Sequence, residues 1–338
     1  MKNIRCNRRG FVVLTAVVCL ALGGVASAQA AGTTPTVSEF LNAANAVYMI
    51  NATPAGMTRF TNDGQAVTLT DNTNGAVASV YVTAENQVII AYQGTTGGLN
   101  IILDPVAAFQ QVITDIDDVI SDESGGTPAA YTSSLNFAKS VISLAKAQGY
   151  TTSNIFVTGH SLGGIEAEYT ASQTGLGGIS FEPTGIAEPP ASGVTGANFV
   201  NTVTYGDPVA SFSSDIQSEQ PTAPPYVAGG GQAPHFGSIV FLGTPSDETT
   251  LTNEFGGTQN QWFGSAFLDP LTVTNAGILM ATFHLPGVQA HDLNVTLNPT
   301  TPIVDGVGDM SGQVLKVGNM QIPALIQAAA AAGRWTKG

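Results

Sequence analysis

Residues 155–164 read IFVTGHSLGG, an apolar run that enters a Gly-x-Ser-x-Gly pentapeptide centred on Ser161. The apolar run predicts a buried strand, and the segment after the pentapeptide, residues 165–170, is compatible with a helix. Between a strand and a helix, a serine occupies a strained turn and its Oγ projects above the sheet edge. The first amides of the helix then point at the site, where they stabilise a negative oxygen. Although 39 glycines make the pentapeptide common by chance, this context favours a catalytic serine.

The patterns on either side of this stretch alternate between strand and helix. Helices are predicted at 37–50, 132–148 and 323–332, and strands at 67–70, 77–83, 88–92, 155–158, 179–181, 199–205 and 238–242. Turn residues at 71–75 predict that the first two strands form a hairpin. Residues 219–234 predict a surface loop, and 243–282 carry only a weak pattern. Together these patterns predict an α/β domain with a mostly parallel central sheet flanked by helices.

The N-terminal residues 1–30 have the three parts of a secretory signal peptide. A basic region with Lys2 and three arginines precedes the apolar residues 11–22, and Ala28-Gln29-Ala30 forms a small-residue cleavage site. We therefore expect a protein that is secreted, outside the cell or into a periplasm, after this segment is removed. The remaining chain divides into a main domain, 31–298, and a C-terminal extension, 299–338, that is Gly-rich, ends in a short helix and packs on the same domain.

Composition narrows the classes of partner. Both cysteines, Cys6 and Cys19, lie in the predicted signal peptide, so the mature chain has no disulfide to support its core. The signal peptide also carries four of the ten basic residues, which leaves six against 24 acidic residues, a formal charge of −18. This charge disfavours nucleic acids and anionic membrane surfaces as partners. No apolar run after the signal peptide is long enough to cross a membrane.

A serine nucleophile needs a histidine base and an acid that orients it, and in α/β-hydrolases these follow the serine in the order acid, histidine. Asp207, directly after a predicted strand, is the first candidate for the acid, with Asp215 in reserve. His160 is adjacent to Ser161 in the chain and points away from it. The candidates for the base are therefore His235, His284 and His291.

Segments outside the strand–turn–helix stretch at 155–170, which we call the elbow, also carry residues of the kind that a serine hydrolase needs. An apolar run ends in Gln93-Gly94-Thr95, a later one ends in Gly206-Asp207-Pro208, and the last histidine lies in Ala290-His291-Asp292-Leu293. With the elbow, these segments of residues 85–295 resemble the class 3 (fungal-type) triacylglycerol lipases. Gln93 replaces the arginine of that family, Glu166 and Glu168 replace small residues, and the tyrosine that follows the base in the family is absent.

The resemblance implies an α/β-hydrolase-like fold with a nucleophile elbow and a catalytic triad of Ser161, Asp207 and His291. It also implies that Thr95 and Leu162 form the oxyanion hole and that His235 is a packed, structural histidine. His284 remains the alternative base. The apolar residues of 99–113 fit either a lid or part of the core.

The sequence thus predicts a secreted serine ester hydrolase that cleaves carboxylic esters, with lipids as the favoured substrates and transient contact with a lipid interface. Such chemistry needs no metal and no organic cofactor, and the chain shows neither a metal-ligand cluster nor a nucleotide-binding motif. Two alternatives use the same fold. One is an exported binding or surface protein without activity, and the other is an acyltransferase or polyester depolymerase that uses the same triad.

Overall fold

The computed structural model describes residues 33–49, 51–94, 127–211, 213–216, 233–250, 275, 277–300, 308–312 and 314–337. The predicted signal peptide, Thr95 and the candidate lid, 99–113, lie outside the described residues. The same is true of most of the predicted surface loop at 219–234.

The strands are β1 (Thr58–Arg59), β2 (Thr61–Asn62), β3 (Gln65–Ala66), β4 (Thr68–Thr70), β5 (Val77–Val82), β6 (Val88–Tyr92), β7 (Ile155–His160), β8 (Gly177–Phe181), β9 (Phe199–Thr204), β10 (Ser238–Leu242) and β11 (Trp335–Lys337). Among the described residues, nine strands form one sheet in the order β1-β5-β6-β7-β8-β9-β10-β11, with β4 also paired to β5. Strands β6 to β10 are parallel to one another, and the strands at both edges are antiparallel. The strands β2 and β3 form a separate hairpin.

The helices are α1 (Val37–Ala46), α2 (Ala129–Ala147), α3 (Leu162–Thr174), a π-helix (Met280–His284), α4 (Pro286–Leu293) and α5 (Ile322–Ala331). Side chains alternate between the two faces of the sheet along each strand, and apolar side chains lie on both faces. Helices therefore pack on both faces. Ile89 and Ala91 pack with residues of α1, α4 and α5, whereas Val88, Ile90 and Tyr92 pack with residues of α2 and α3. The predicted α/β architecture, a mostly parallel central sheet flanked by helices, is confirmed.

Local sequence signals account for several element boundaries. Thr36 and Glu39 form a reciprocal capping box that starts α1, and the predicted hairpin between β4 and β5 is present. The helix α1 ends at Ala46, earlier than its apolar pattern predicts. The short strands β1 to β3, the π-helix, α4 and β11 were not predicted. Strand β11 has only three residues, which is too short for a period-two pattern to be recognised.

The described C-terminal residues are part of the same fold as the sheet. The described residues from 33 onward belong to one compact unit, in which β11 pairs with β10 and α5 packs beside α1 in one apolar cluster. None of the helices in the described parts of the chain combines the length and apolar character that a membrane span requires.

Two carboxyl groups are buried along α3, which is enclosed over most of its length. The hydroxyl of Ser134 donates to Glu166 Oε2 over 2.6 Å, and the backbone amide of Phe236 donates to Glu168. Burial raises the pKa of both carboxyls to about 8. In such surroundings the neutral carboxyl has a lower free energy than the ionised one, because it avoids burial of a charge.

The raised pKa of Glu166 predicts how stability depends on pH. The folded protein keeps this proton up to about pH 8, whereas the unfolded chain releases it near its ordinary value of 4.5. The contribution of this proton to stability is therefore complete below the unfolded pKa and is lost as the pH rises through the folded one. We expect Glu166→Gln to flatten the decline of the melting temperature between pH 5 and 8, as measured by circular dichroism.

The matched control is Glu85→Gln, which removes a carboxylate from an exposed position. It should leave the pH dependence of the melting temperature as it is in the wild type. If the melting temperature of Glu166→Gln fell with pH as steeply as that of the wild type, Glu166 would be ionised in the folded protein.

Candidate active site

Ser161 lies at the tight turn between β7 and α3, with φ 59° and ψ −130°. A positive φ is costly for a residue other than glycine, so the surrounding structure must hold it in place. The amide of Ser161 donates to the carbonyl oxygen of Phe181 over 2.9 Å, which ties the turn to the next strand. This is the strand–turn–helix geometry that the pentapeptide predicts.

The glycines around Ser161 are required by close packing of the backbone. A Cβ on Gly159 would lie 2.0 Å from the carbonyl oxygen of Gly163, and one on Gly163 would lie 2.3 Å from that of Tyr92. No side chain fits at either position. The pentapeptide is therefore a packing requirement of this turn as well as a sequence motif.

The surroundings of Ser161 contain groups suited to an oxyanion. The Ser161 side chain is buried, and its Oγ has no hydrogen-bond partner among the described residues. Leu162 is the first residue of α3, so its amide is one of the four that a helix leaves without an internal partner. The end of β6 lies beside the serine, because a Cβ on Gly94 would be 3.1 Å from Ser161 Cβ. Thr95, the other predicted donor, follows Gly94 outside the described residues.

Asp207 follows β9 and is completely buried. Its carboxylate accepts hydrogen bonds from the amides of Val209, at 2.9 Å, and Ala210, at 3.3 Å, and its Oδ2 lies 2.8 Å from His284 Nδ1. Burial by itself raises the pKa of Asp207, but the adjacent His284 and the hydrogen bonds to the carboxylate outweigh burial and hold the pKa below its usual value. Asp207 is therefore ionised at neutral pH.

The contact with Asp207 determines which nitrogen of His284 carries the proton. An ionised carboxylate only accepts hydrogen bonds, so His284 Nδ1–H must be the donor. In the neutral ring, Nε2 then has a free lone pair, which is the state that a general base requires. This nitrogen is buried and has no partner among the described residues, as is true of Ser161 Oγ. The two rings of His284 and His160 are 4.8 Å apart, which places His284 beside the residue that precedes Ser161.

The structure assigns a different partner to His291, the base implied by the family resemblance. His291 Nδ1 lies 3.1 Å from the carboxylate of its neighbour Asp292, and its side chain is 30% exposed. Asp207 contacts His284 and not His291, so of the two candidate bases only His284 has the expected acid as its partner. The physical reason is that the π-helix ends at His284 and carries that residue to the edge where β9 ends, whereas His291 lies two turns further along α4.

The other candidates from the sequence are engaged elsewhere. Asp215, the reserve acid, contacts His235 through both the ring nitrogen Nδ1, at 2.9 Å, and the backbone amide, at 2.7 Å. The ring of His235 is buried, in agreement with its expected structural role. His160 is also buried, and both of its ring nitrogens have partners within the described residues.

Sequence reasoning missed Glu182, a buried carboxyl behind Asp207. Glu182 follows β8, has a φ of 54° and accepts hydrogen bonds from the amide of Thr204, at 2.9 Å, and from its hydroxyl, at 2.7 Å. Burial and the adjacent Asp207 raise the pKa of Glu182 well above its usual value, and the two carboxyls are hydrogen-bonded. Protonated Glu182 therefore donates to ionised Asp207. An acidic residue at the end of a strand next to β9 is a signal that was available in the sequence.

The described residues include no group of three or more His, Cys, Asp or Glu side chains arranged to hold a metal ion.

Comparisons with known proteins place the chain only distantly. No family model matches the sequence, and no curated protein matches it either. Solved structures do match, among them a triacylglycerol lipase from Penicillium expansum, with a TM-score of 0.37 and 15% sequence identity. That match covers 62% of this chain and 81% of the lipase chain. So distant a likeness does not decide the function, which has to be argued from the contacts of the site.

The proton on Glu182 predicts how two substitutions differ. Glu182→Gln keeps an N–H donor for Asp207 and one oxygen that accepts from the Thr204 amide. The Thr204 hydroxyl, which donates to the other oxygen of Glu182, can turn and accept from the glutamine N–H, so the free energy of unfolding should stay close to that of the wild type. Glu182→Leu leaves those groups unpaired, at a cost of about 1–3 kcal/mol for each group. Urea denaturation at pH 7 measures both. If both variants were destabilised equally, the assignment of a proton to Glu182 would be wrong.

Proposed function

We propose that the protein is a serine hydrolase that cleaves carboxylic esters, with Ser161 as nucleophile, His284 as base and Asp207 as the acid that orients the base. The observation that carries the proposal is the buried contact between Asp207 and His284 beside the strained turn of Ser161. His284 Nε2 and Ser161 Oγ are both buried without a partner among the described residues, and His284 contacts His160, the residue before the serine. A serine with a histidine base within reach is the arrangement that activates a hydroxyl for nucleophilic attack.

The reaction begins when Ser161 Oγ attacks the carbonyl carbon of the ester and its proton passes to His284 Nε2. The carbonyl oxygen becomes negative and is stabilised by the amide of Leu162, and by Thr95 as the sequence predicts. His284 then gives its proton to the leaving alcohol, which produces an acyl-enzyme on Ser161. Water repeats the sequence of steps, releases the acid and restores the serine.

Asp207 serves this cycle in two ways. Its hydrogen bond holds His284 in the tautomer whose Nε2 is free, and its negative charge stabilises the imidazolium while His284 carries the serine proton. The low pKa of Asp207 keeps that charge in place at neutral pH. The hydrogen bond from protonated Glu182 supports the same ionised state.

The sequence supports a class of substrate. The formal charge of −18 predicted for the mature chain disfavours strongly acidic substrates and favours neutral esters. Lipid esters are the substrates implied by the resemblance to the class 3 lipases, and the predicted signal peptide implies that the protein acts after export.

Loss of the nucleophile or the base should abolish most ester hydrolysis. We expect Ser161→Ala and His284→Ala to lower kcat for a p-nitrophenyl ester by at least about 10²–10⁴-fold, the usual contribution of acid–base catalysis. His291→Ala is the matched control and should keep most of the activity, because its ring contacts Asp292 rather than Asp207. Melting temperatures of all three variants show whether they are folded.

The opposite pattern, with activity lost in His291→Ala and kept in His284→Ala, would restore the base implied by the resemblance. A fluorophosphonate probe separates an enzyme from a binding protein on the same fold. It should label the wild type and fail to label Ser161→Ala. A folded wild type that neither hydrolyses esters nor takes up the probe would refute the proposed function.

A further inference from the structure

Besides its contact with Asp207, His284 has a second polar contact, which its backbone carbonyl makes with His160. Tyr48, just after α1, places its Oη 2.9 Å from His160 Nδ1. On the other side of the same ring, His160 Nε2 lies 2.7 Å from the carbonyl oxygen of His284. A chain of two hydrogen bonds therefore links Tyr48 to the proposed base, through the residue that precedes the proposed nucleophile.

The direction of each hydrogen bond follows from the chemistry of its partners. The carbonyl oxygen of His284 only accepts, so His160 Nε2 must carry the hydrogen. Burial, followed by the nearby His284, lowers the pKa of His160 to about 3, so the ring is neutral and its Nδ1 is an acceptor. The hydroxyl of Tyr48 is therefore the donor to His160 Nδ1. The Tyr48 oxygen also lies against Gly94, just after β6, since a Cβ on Gly94 would be 2.3 Å from it.

These directions exclude His160 from proton transfer. Both of its nitrogens are engaged, and the low pKa opposes the uptake of a second proton. Its contacts instead connect three parts of the site: the end of β6 beside the oxyanion position, the elbow and the segment of the base. His284 is the last residue of the π-helix, and a helix leaves its last carbonyls without an internal partner, so His160 supplies the hydrogen bond that this carbonyl lacks.

We propose that Tyr48 and His160 are positioning residues that fix the backbone of His284 relative to Ser161 and Gly94. This inference rests on the proposed function, since it assigns His284 as the base. His160 is covalently joined to Ser161, and its hydrogen bond to the carbonyl of His284 therefore sets the separation of nucleophile and base. Tyr48 acts one step further away, because it holds His160 in the tautomer that makes that hydrogen bond.

The kinetic test uses substitutions that separate the two nitrogens of His160. A glutamine amide reaches the position of Nε2 and keeps a donor for the carbonyl of His284, whereas leucine has none. We expect His160→Leu to lower kcat about 10²-fold, the cost of a misplacement of about 1 Å, with little change in KM. His160→Gln should recover most of that loss. Tyr48→Phe should lower kcat by a smaller factor, and Tyr150→Phe, a tyrosine packed on Phe60 away from the site, is its control.

A second measurement does not depend on activity. Nitrogen chemical shifts of ¹⁵N-labelled histidines report which ring nitrogen carries the hydrogen. We expect wild-type His160 to be neutral with its hydrogen on Nε2, and Tyr48→Phe to shift the resonance of His160 Nδ1. A hydrogen on Nδ1 in the wild type would overturn the inference, whatever the activity. Full kcat in a folded His160→Leu would also overturn it, while the loss of activity in His284→Ala would leave the proposed function intact.

Discussion

The hydrogen bond between His284 Nδ1 and Asp207 Oδ2 joins two residues that are 77 positions apart in the chain, and it is fully buried. The rest of the site depends on it, because it decides which nitrogen of His284 is free to accept a proton. A histidine in the other tautomer, at the same place, would present a hydrogen to Ser161 and not a lone pair. The fold supplies this contact because the end of the π-helix lies beside the carboxyl end of β9.

The groups around this hydrogen bond limit how much charge is buried. Asp207 is ionised, but the neighbouring carboxyl, Glu182, keeps its proton, and the neighbouring imidazole, His160, is neutral. A second buried charge of either sign would cost several kcal/mol unless it was paired. The neutral neighbours therefore contribute hydrogen bonds without adding charge. Glu182 donates to the carboxylate of Asp207, and His160 donates to the backbone of His284.

Much of the fold was predictable because its signals are local. The apolar run of β7, the glycines around Ser161 and the position of Asp207 after β9 are readable over a few residues, and the structure explains each by packing of the backbone or by strand geometry. The base was not predictable in this way. His284 and His291 are only seven residues apart, and only the path of the chain after the weakly patterned residues 243–282 decides which of them reaches Asp207.

The partners behind the triad depend on contacts between distant segments. Tyr48 contacts a residue 112 positions away, and Glu182, although it follows a predicted strand, contacts Thr204 on the neighbouring strand. The signal peptide, the oxyanion role of Thr95 and the lid remain predictions from the sequence, since they fall on residues outside the described parts of the chain.

A crystal structure of the protein after reaction with a fluorophosphonate ester tests the proposed triad most directly. We expect a phosphonyl group on Ser161 Oγ, with His284 Nε2 at a hydrogen-bond distance of about 2.7–3.2 Å from one of its oxygens. Asp207 should remain bonded to His284 Nδ1, and His291 should still contact Asp292. A phosphonyl group on another residue, or the ring of His291 in the place of His284, would contradict the account.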